Sequence, residues 1–216
     1  MARVKICGNT NLADAEEAAG LGAWALGLIY AEQSPRRCDP AVAAEIGAAL
    51  RRRCEIVGVF VNPTLEEVSR QVENAQLTMV QLSGDEGPAF CTEVARRTGA
   101  KVMKGIRVSS AADIHGAEAF RTDLHLFDTR RRGMYGGTGE TFDWDLLTHR
   151  RSTVPAVLAG GLTPANVADA IAIASPYAVD VVSGVEAEPG RKDSEALAAF
   201  FAAAQPPAQV AGAGLE

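Results

Sequence analysis

The sequence predicts an α/β fold, a single (β/α)8 TIM barrel, on three observations. Short β-rich runs alternate with Ala/Glu-rich stretches along almost the whole chain, as parallel strands with helices between them require. The two turns that look built for an anion come late, after the seventh and eighth runs, where barrels of this kind bind phosphate. An open doubly wound sheet, the fold alternative, would carry its glycine-rich turn after the first strand. The length of 216 residues is near the lower end for such barrels, so the connections must be short. One domain is expected over residues 1–204, followed by a flexible C-terminal tail over 205–216 (QPPAQVAGAGLE).

The first strand is expected at residues 3–7 (RVKIC), and a helix at 11–21 opens on the capping types Asn9-Thr10-Asn11. The second unit pairs a strand at 25–30 (ALGLIY) with a helix at 40–53, the third a strand at 56–61 (IVGVFV) with a helix at 63–74. Asn62-Pro63-Thr64 supplies both a cap and an N-terminal proline for that third helix. A strand at 79–82 (MVQL) and a helix at 86–98 follow, then a strand at 102–108 (VMKGIRV). The stretch 109–121 is the weakest unit: Gly116 and sparse apolar residues predict a poor or missing helix. Strands at 124–128 (LHLFD), 156–159 (AVLA) and 178–183 (AVDVVS) complete the set, with helices at 143–149, 164–174 and 193–204. Several of these runs are almost wholly apolar, as strands buried on both faces should be.

Composition excludes several classes of function. A net charge of −6 and a pI near 5.2 argue against a general affinity for nucleic acid, so any anionic substrate must be met by local positive groups. No apolar run is long enough to span a bilayer, and the N-terminus enters a strand without the apolar core of a signal peptide. A cytoplasmic protein with no membrane partner is the expectation. Cys7, Cys38, Cys54 and Cys91 are scattered without CxxC or metal-ligand spacing, which predicts free thiols and no metal site.

In a barrel, residues at the C-terminal ends of the strands face the active site. Strand 7 runs into Gly160-Gly161 and strand 8 into Ser183-Gly184. Glycine permits positive φ and close backbone approach, and free N–H groups in such turns hold anions, so a phosphorylated small molecule is the expected ligand. The same ends offer Cys7 after strand 1, Tyr30 after strand 2, Gln81 and Ser83 after strand 4, Arg107 after strand 5 and Asp128 after strand 6. Cys7 and Asp128 then form an acid–base pair across the mouth. Each also has a plainer reading, as an inert buried thiol and as a loop cap. Arg36 and Arg37 are candidates for a substrate carboxylate because guanidinium binds it bidentately, with a surface salt bridge the plainer reading for at least one of them. The loop TRRRGMYGGTGETFDW, residues 129–144, suits a substrate cover, with Arg130, Arg131 and Arg132 as a solvated patch. Trp24 and Trp144 read as core residues, and His115, His125 and His149 carry no expected chemistry.

On these residues the chain resembles phosphoribosylanthranilate isomerase of tryptophan biosynthesis. The likeness runs through VKICGNT (4–10), SPRR (34–37), VGVFVNPTLEEV (57–68) and VQLSGDE (80–86). It continues through FDTRRRGMYGGTGETFDW (127–144), LAGGLTPANV (158–167), VDVVSGVE (179–186) and PGRKD (189–193). The resemblance implies an Amadori rearrangement of N-(5-phosphoribosyl)anthranilate, without metal or organic cofactor, in a monomer or homodimer. It implies Cys7 as general base, Asp128 as general acid, Arg36 near the anthranilate carboxylate, and Gly160, Gly161, Ser183 and Gly184 around the phosphate. The chain departs from the family at Ser83, usually histidine, at Val182, usually serine, and at Tyr30, usually phenylalanine. A histidine-pathway aminoaldose isomerase and a non-catalytic sugar-phosphate-binding barrel are the other two readings. The first usually uses two aspartates, which Cys7 disfavours. For the acid–base roles, Asp128 needs a raised pKa and Cys7 a local positive field that lowers its own.

Overall fold

The computed structural model describes residues 2–129 and 143–205. Residues 130–142 of the expected covering loop, Arg130 to Arg132 among them, and the tail from 206 onward lie outside the described residues. Eight parallel strands close into a barrel in chain order. They are β1 (Arg3–Ile6), β2 (Ala25–Ile29), β3 (Glu55–Phe60), β4 (Met79–Leu82), β5 (Lys101–Val108), β6 (Leu124–Thr129), β7 (Ala156–Leu158) and β8 (Ala178–Val181). The register of β1 against β8 sets Lys5 opposite Asp180 and closes the ring.

Helices α1 (Leu12–Gly20), α2 (Pro40–Leu50), α3 (Leu65–Asn74), α4 (Pro88–Thr98), α5 (Ala111–Gly116), α6 (Val167–Ala174) and α7 (Ser194–Ala204) connect the strands. Asn11, Asp39 and Asp193 cap α1, α2 and α7 by accepting from backbone N–H groups, and Thr64 and Glu67 form a reciprocal capping box on α3. The weak 109–121 stretch is a six-residue α5 continued by a 3-10 turn, Ala117–Ala119. Two expectations need correction. Residues 143–149 form a 3-10 helix, Trp144–His149, rather than an α-helix, anchored by the one buried side chain Leu147. Residues 164–166 are a turn before α6, where Asn166 accepts from the Thr163 N–H and donates to the Gly161 carbonyl. A hairpin of β9 (Glu186–Glu188) and β10 (Arg191–Lys192) follows β8, which the sequence reading lacked.

Two apolar clusters follow from strand periodicity. Val4, Ile6, Leu26, Leu28, Ile56, Val80, Leu82, Val102, Phe127, Leu158 and Val179 face the helices. The alternate positions, including Cys7, Ala25, Val57, Val59, Met79, Met103, Leu126, Val157 and Ala178, fill the barrel interior. That parity also turns Lys5, Gln81, Arg107, Asp128 and Asp180 inward. Among the described residues no helix is long and apolar enough to cross a membrane.

Candidate active site

A cavity of about 420 Å³ opens at the C-terminal end of the barrel. Among the residues lining it are Cys7, Arg36, Asp128, Gly160, Gly161 and Ser183, so six expected site residues come together. Gly184 stands just behind: a Cβ there would collide with the Leu162 carbonyl, so its missing side chain lets the two phosphate-type loops pack together. Arg37 and Tyr30 do not join them. Both line a separate cavity of about 310 Å³, where Tyr30 stacks on Phe60 at 4.9 Å. Tyr30 is the last strand-2 residue by the sequence reading, but Ile29 holds the inward position beside it.

Gly160 and Gly161 sit at φ +90° and +66°, a region other residues enter at a cost. A Cβ on Gly160 would meet the Thr129 hydroxyl and stand 2.7 Å from Asp128 Oδ1. The backbone N–H groups of Gly160, Gly161, Ser183 and Gly184 make no hydrogen bond among the described residues. N–H groups so placed on two adjoining loops, one leading into α6, are the kind of donors that can hold an anion.

Asp128 is the residue expected to act as acid. Burial raises its pKa to about 6, the nearby Asp180 carboxylate adds to the rise, and the Thr129 N–H, donating to Oδ1 at 2.7 Å, opposes it with Lys5 and Arg107. Register places Arg107 directly opposite Asp128. The expected upward shift is present. Cys7 behaves differently: burial pushes its thiol up, Lys5 pulls it down, Asp180 pushes it up and Lys192 pulls it down. The positive field that the base role requires exists, supplied by Lys5 and Lys192. Its net effect falls short of the expected lowering because desolvation outweighs it.

Four buried charged side chains around Cys7 and Arg36 were not picked out by the sequence reading. Lys5, fully buried, donates to Asp180 Oδ1 at 2.7 Å and lies one strand layer below Cys7. Lys192 donates to the Cys7 carbonyl at 2.6 Å and to Glu186 at 3.0 Å. Glu186 also takes the Nε–Nη2 edge of Arg36, with both nitrogens 2.8 Å from Oε2. Arg36 therefore lines the cavity already paired with Glu186, the ion-pair alternative that the sequence left open for at least one of the two arginines. A charge between apolar neighbours within a strand, as in VKIC and AVDVV, was the available signal for Lys5 and Asp180. On the wall facing the phosphate-type loops, the Gln81 amide donates to Ser83 Oγ at 3.0 Å, and Arg107 donates to the Ser83 carbonyl.

Fold and site together define a class: a (β/α)8 barrel whose C-terminal cavity is lined by a thiol, a carboxyl and the glycine turns after β7 and β8. The family profile for N-(5'phosphoribosyl)anthranilate (PRA) isomerase matches residues 4–203. The N-(5'-phosphoribosyl)anthranilate isomerase of Citrifermentans bemidjiense is 45% identical over 205 residues, covering 95% of this chain and 98% of the relative. The crystal structure of phosphoribosyl anthranilate isomerase from Thermotoga maritima superposes with a TM-score of 0.87 at 41% identity, over 94% of this chain and 98% of that one. A second similar structure, of phosphoribosyl anthranilate isomerase in complex with reduced 1-(O-carboxyphenylamino)-1-deoxyribulose 5-phosphate, gives 0.81 at 38% identity, again over 94% and 98%. The chain belongs to the phosphoribosylanthranilate isomerase family.

Proposed function

We propose that this chain converts N-(5'-phosphoribosyl)anthranilate to 1-(2-carboxyphenylamino)-1-deoxyribulose 5-phosphate in tryptophan biosynthesis, with Asp128 as acid and Cys7 as base. The observation that supports the residue roles is that Cys7 and Asp128 line one cavity together with Arg36, Gly160, Gly161 and Ser183. The phosphate takes the N–H groups of Gly160, Gly161, Ser183 and Gly184. The anthranilate carboxylate takes the part of Arg36 that Glu186 leaves open. Binding at both ends holds the sugar carbons between Asp128 and Cys7.

Asp128 in its protonated form donates to the furanose ring oxygen, and the ring C–O bond breaks to give a Schiff base. With a pKa of about 6, roughly a tenth of Asp128 carries its proton at pH 7. The iminium acidifies the neighbouring C2′ hydrogen, which the Cys7 thiolate removes. The released electron pair forms an enolamine, and the ketone results when C1′ takes a proton and the C2′ hydroxyl gives one up. Hydrogen moves within the molecule and no net oxidation occurs.

The test is fluorescence-monitored consumption of phosphoribosylanthranilate by the purified protein. Cys7→Ala and Asp128→Asn should each lower kcat on the order of 10²-fold or more while KM stays near its original value. An active Cys7→Ala variant would remove the thiol from the mechanism.

A further inference from the structure

We propose that Lys192 and Glu186, both supplied by the β9–β10 hairpin, are positioning residues. Lys192 holds the Cys7 backbone and sets a positive charge beside its thiol, while Glu186 aims Arg36 into the cavity. The inference rests on the reading of Cys7 as base and Arg36 as carboxylate ligand.

The geometry is a continuous chain from the reacting end of the site to the recognising end. Lys192 Nζ donates to the carbonyls of Cys7 and Val182, at 2.6 and 3.4 Å, and to Glu186 Oε1 at 3.0 Å. Glu186 accepts in addition from Arg36 and from the Gly190 N–H. The hairpin is itself anchored: the Lys192 N–H donates to Asp14 on α1, and the Thr10 hydroxyl donates to the Gly190 carbonyl. Lys192 and Glu186 are almost wholly shielded from solvent, with side chains 0% and 3% exposed. A merely fastening role would not require a buried ammonium here, because a buried charge is costly unless matched.

The charge count gives the cluster its direction. Lys5 and Asp180, facing Cys7 from β1 and β8, cancel as a neutral pair. Asp128 lines the same cavity from β6 and, with a pKa of about 6, is mostly ionised at pH 7, but the charges that act on the Cys7 thiol are those of Lys5, Asp180 and Lys192. Glu186 alone answers both Arg36 and Lys192, so this trio keeps one positive charge in excess next to Cys7. A thiolate is the anion that this excess favours.

Two substitutions test the idea without turnover, by following the pH dependence of Cys7 alkylation with iodoacetamide. Mass spectrometry of the Cys7 peptide separates it from Cys38, Cys54 and Cys91. Lys192→Met should raise the apparent thiol pKa by about one unit, and Glu186→Gln should lower it, since one removes a cation and the other an anion. Glu186→Gln should also raise KM about tenfold with a smaller change in kcat, because Arg36 loses its guide. Opposite shifts support the proposal. Unchanged profiles, or shifts of the same sign from general loosening, overturn it. If Lys192→Met does not fold, the downward shift and KM rise in Glu186→Gln decide the matter alone. Retention of turnover by Cys7→Ala would instead overturn the base assignment, while the alkylation profiles would still read the charge coupling.

Discussion

At the residue scale, Asp128 has its pKa lifted by the burial and the nearby carboxylate that suit it to act as an acid. The sign follows from linkage. A carboxyl whose folded pKa exceeds its unfolded value is favoured by folding below the unfolded pKa, near 4, and loses that advantage as pH rises through about 6. Above that, the charged Asp128 opposes folding by about 1–3 kcal/mol, allowing for water at the open mouth. Asp128→Asn should accordingly stabilise the protein at pH 8 and have little effect at pH 4, in urea denaturation at both values, while turnover falls. Equal effects at the two pH values would show that the carboxyl is not perturbed as described. Ser83 and Val182 belong to this scale as well. Ser83 accepts from Gln81 on the cavity wall, and Val182 packs with the interior cluster, so both departures from the family pattern are built into the site.

At the scale of elements, the site has two ends on different connections. Arg36 follows β2, whereas the phosphate site proposed above lies at the turns after β7 and β8. Arg36→Met should weaken product binding by about 1.5–3 kcal/mol and leave inorganic phosphate binding nearly unchanged, because a charge-assisted contact is lost at one end only. Gly160→Ala should do the reverse and also slow turnover. Its Cβ would press on Thr129 and on the Asp128 carboxyl, in a backbone region that alanine rarely adopts. Titrating phosphate and product into both variants separates the two ends. Loss of phosphate affinity in Arg36→Met equal to its loss of product would contradict the two-ended arrangement. The room for Cys7 is likewise made by a neighbouring element: a Cβ on Gly27 of β2 would stand 2.5 Å from its Sγ.

At the scale of the whole molecule, the barrel closes where β1 meets β8, and Lys5 and Asp180 are the buried ion pair across that seam. Removing one partner leaves the other charged and unmatched in a dry interior. Asp180→Asn should therefore destabilise the fold by about 3–5 kcal/mol, read by urea unfolding. A loss below 1 kcal/mol would mean that water reaches the pair. The same seam places Asp180 close enough to Asp128 to raise its pKa. Closure of the fold and tuning of the acid thus share one carboxylate.

Much of this was open to reading in the chain itself. Strand periodicity and turn chemistry are local, so the eight strands, the glycine turns and the inward positions of Cys7 and Asp128 follow from neighbours a few residues apart. Local reading missed where the local signal is thin: the 3-10 helix at Trp144–His149 shows the same short run of residues as an α-helix would, and the β9–β10 hairpin is too short for any period to emerge. What the tertiary structure alone decided is pairing. Arg36 meets Glu186 across 150 positions, Lys5 meets Asp180 across 175, and Lys192 reaches the Cys7 carbonyl across 185. Alternation along a strand determines which way a side chain points, but its partner depends on register and on the ring closing. The electrostatics of the thiol and the orientation of the arginine therefore exist only once the last strand has docked beside the first.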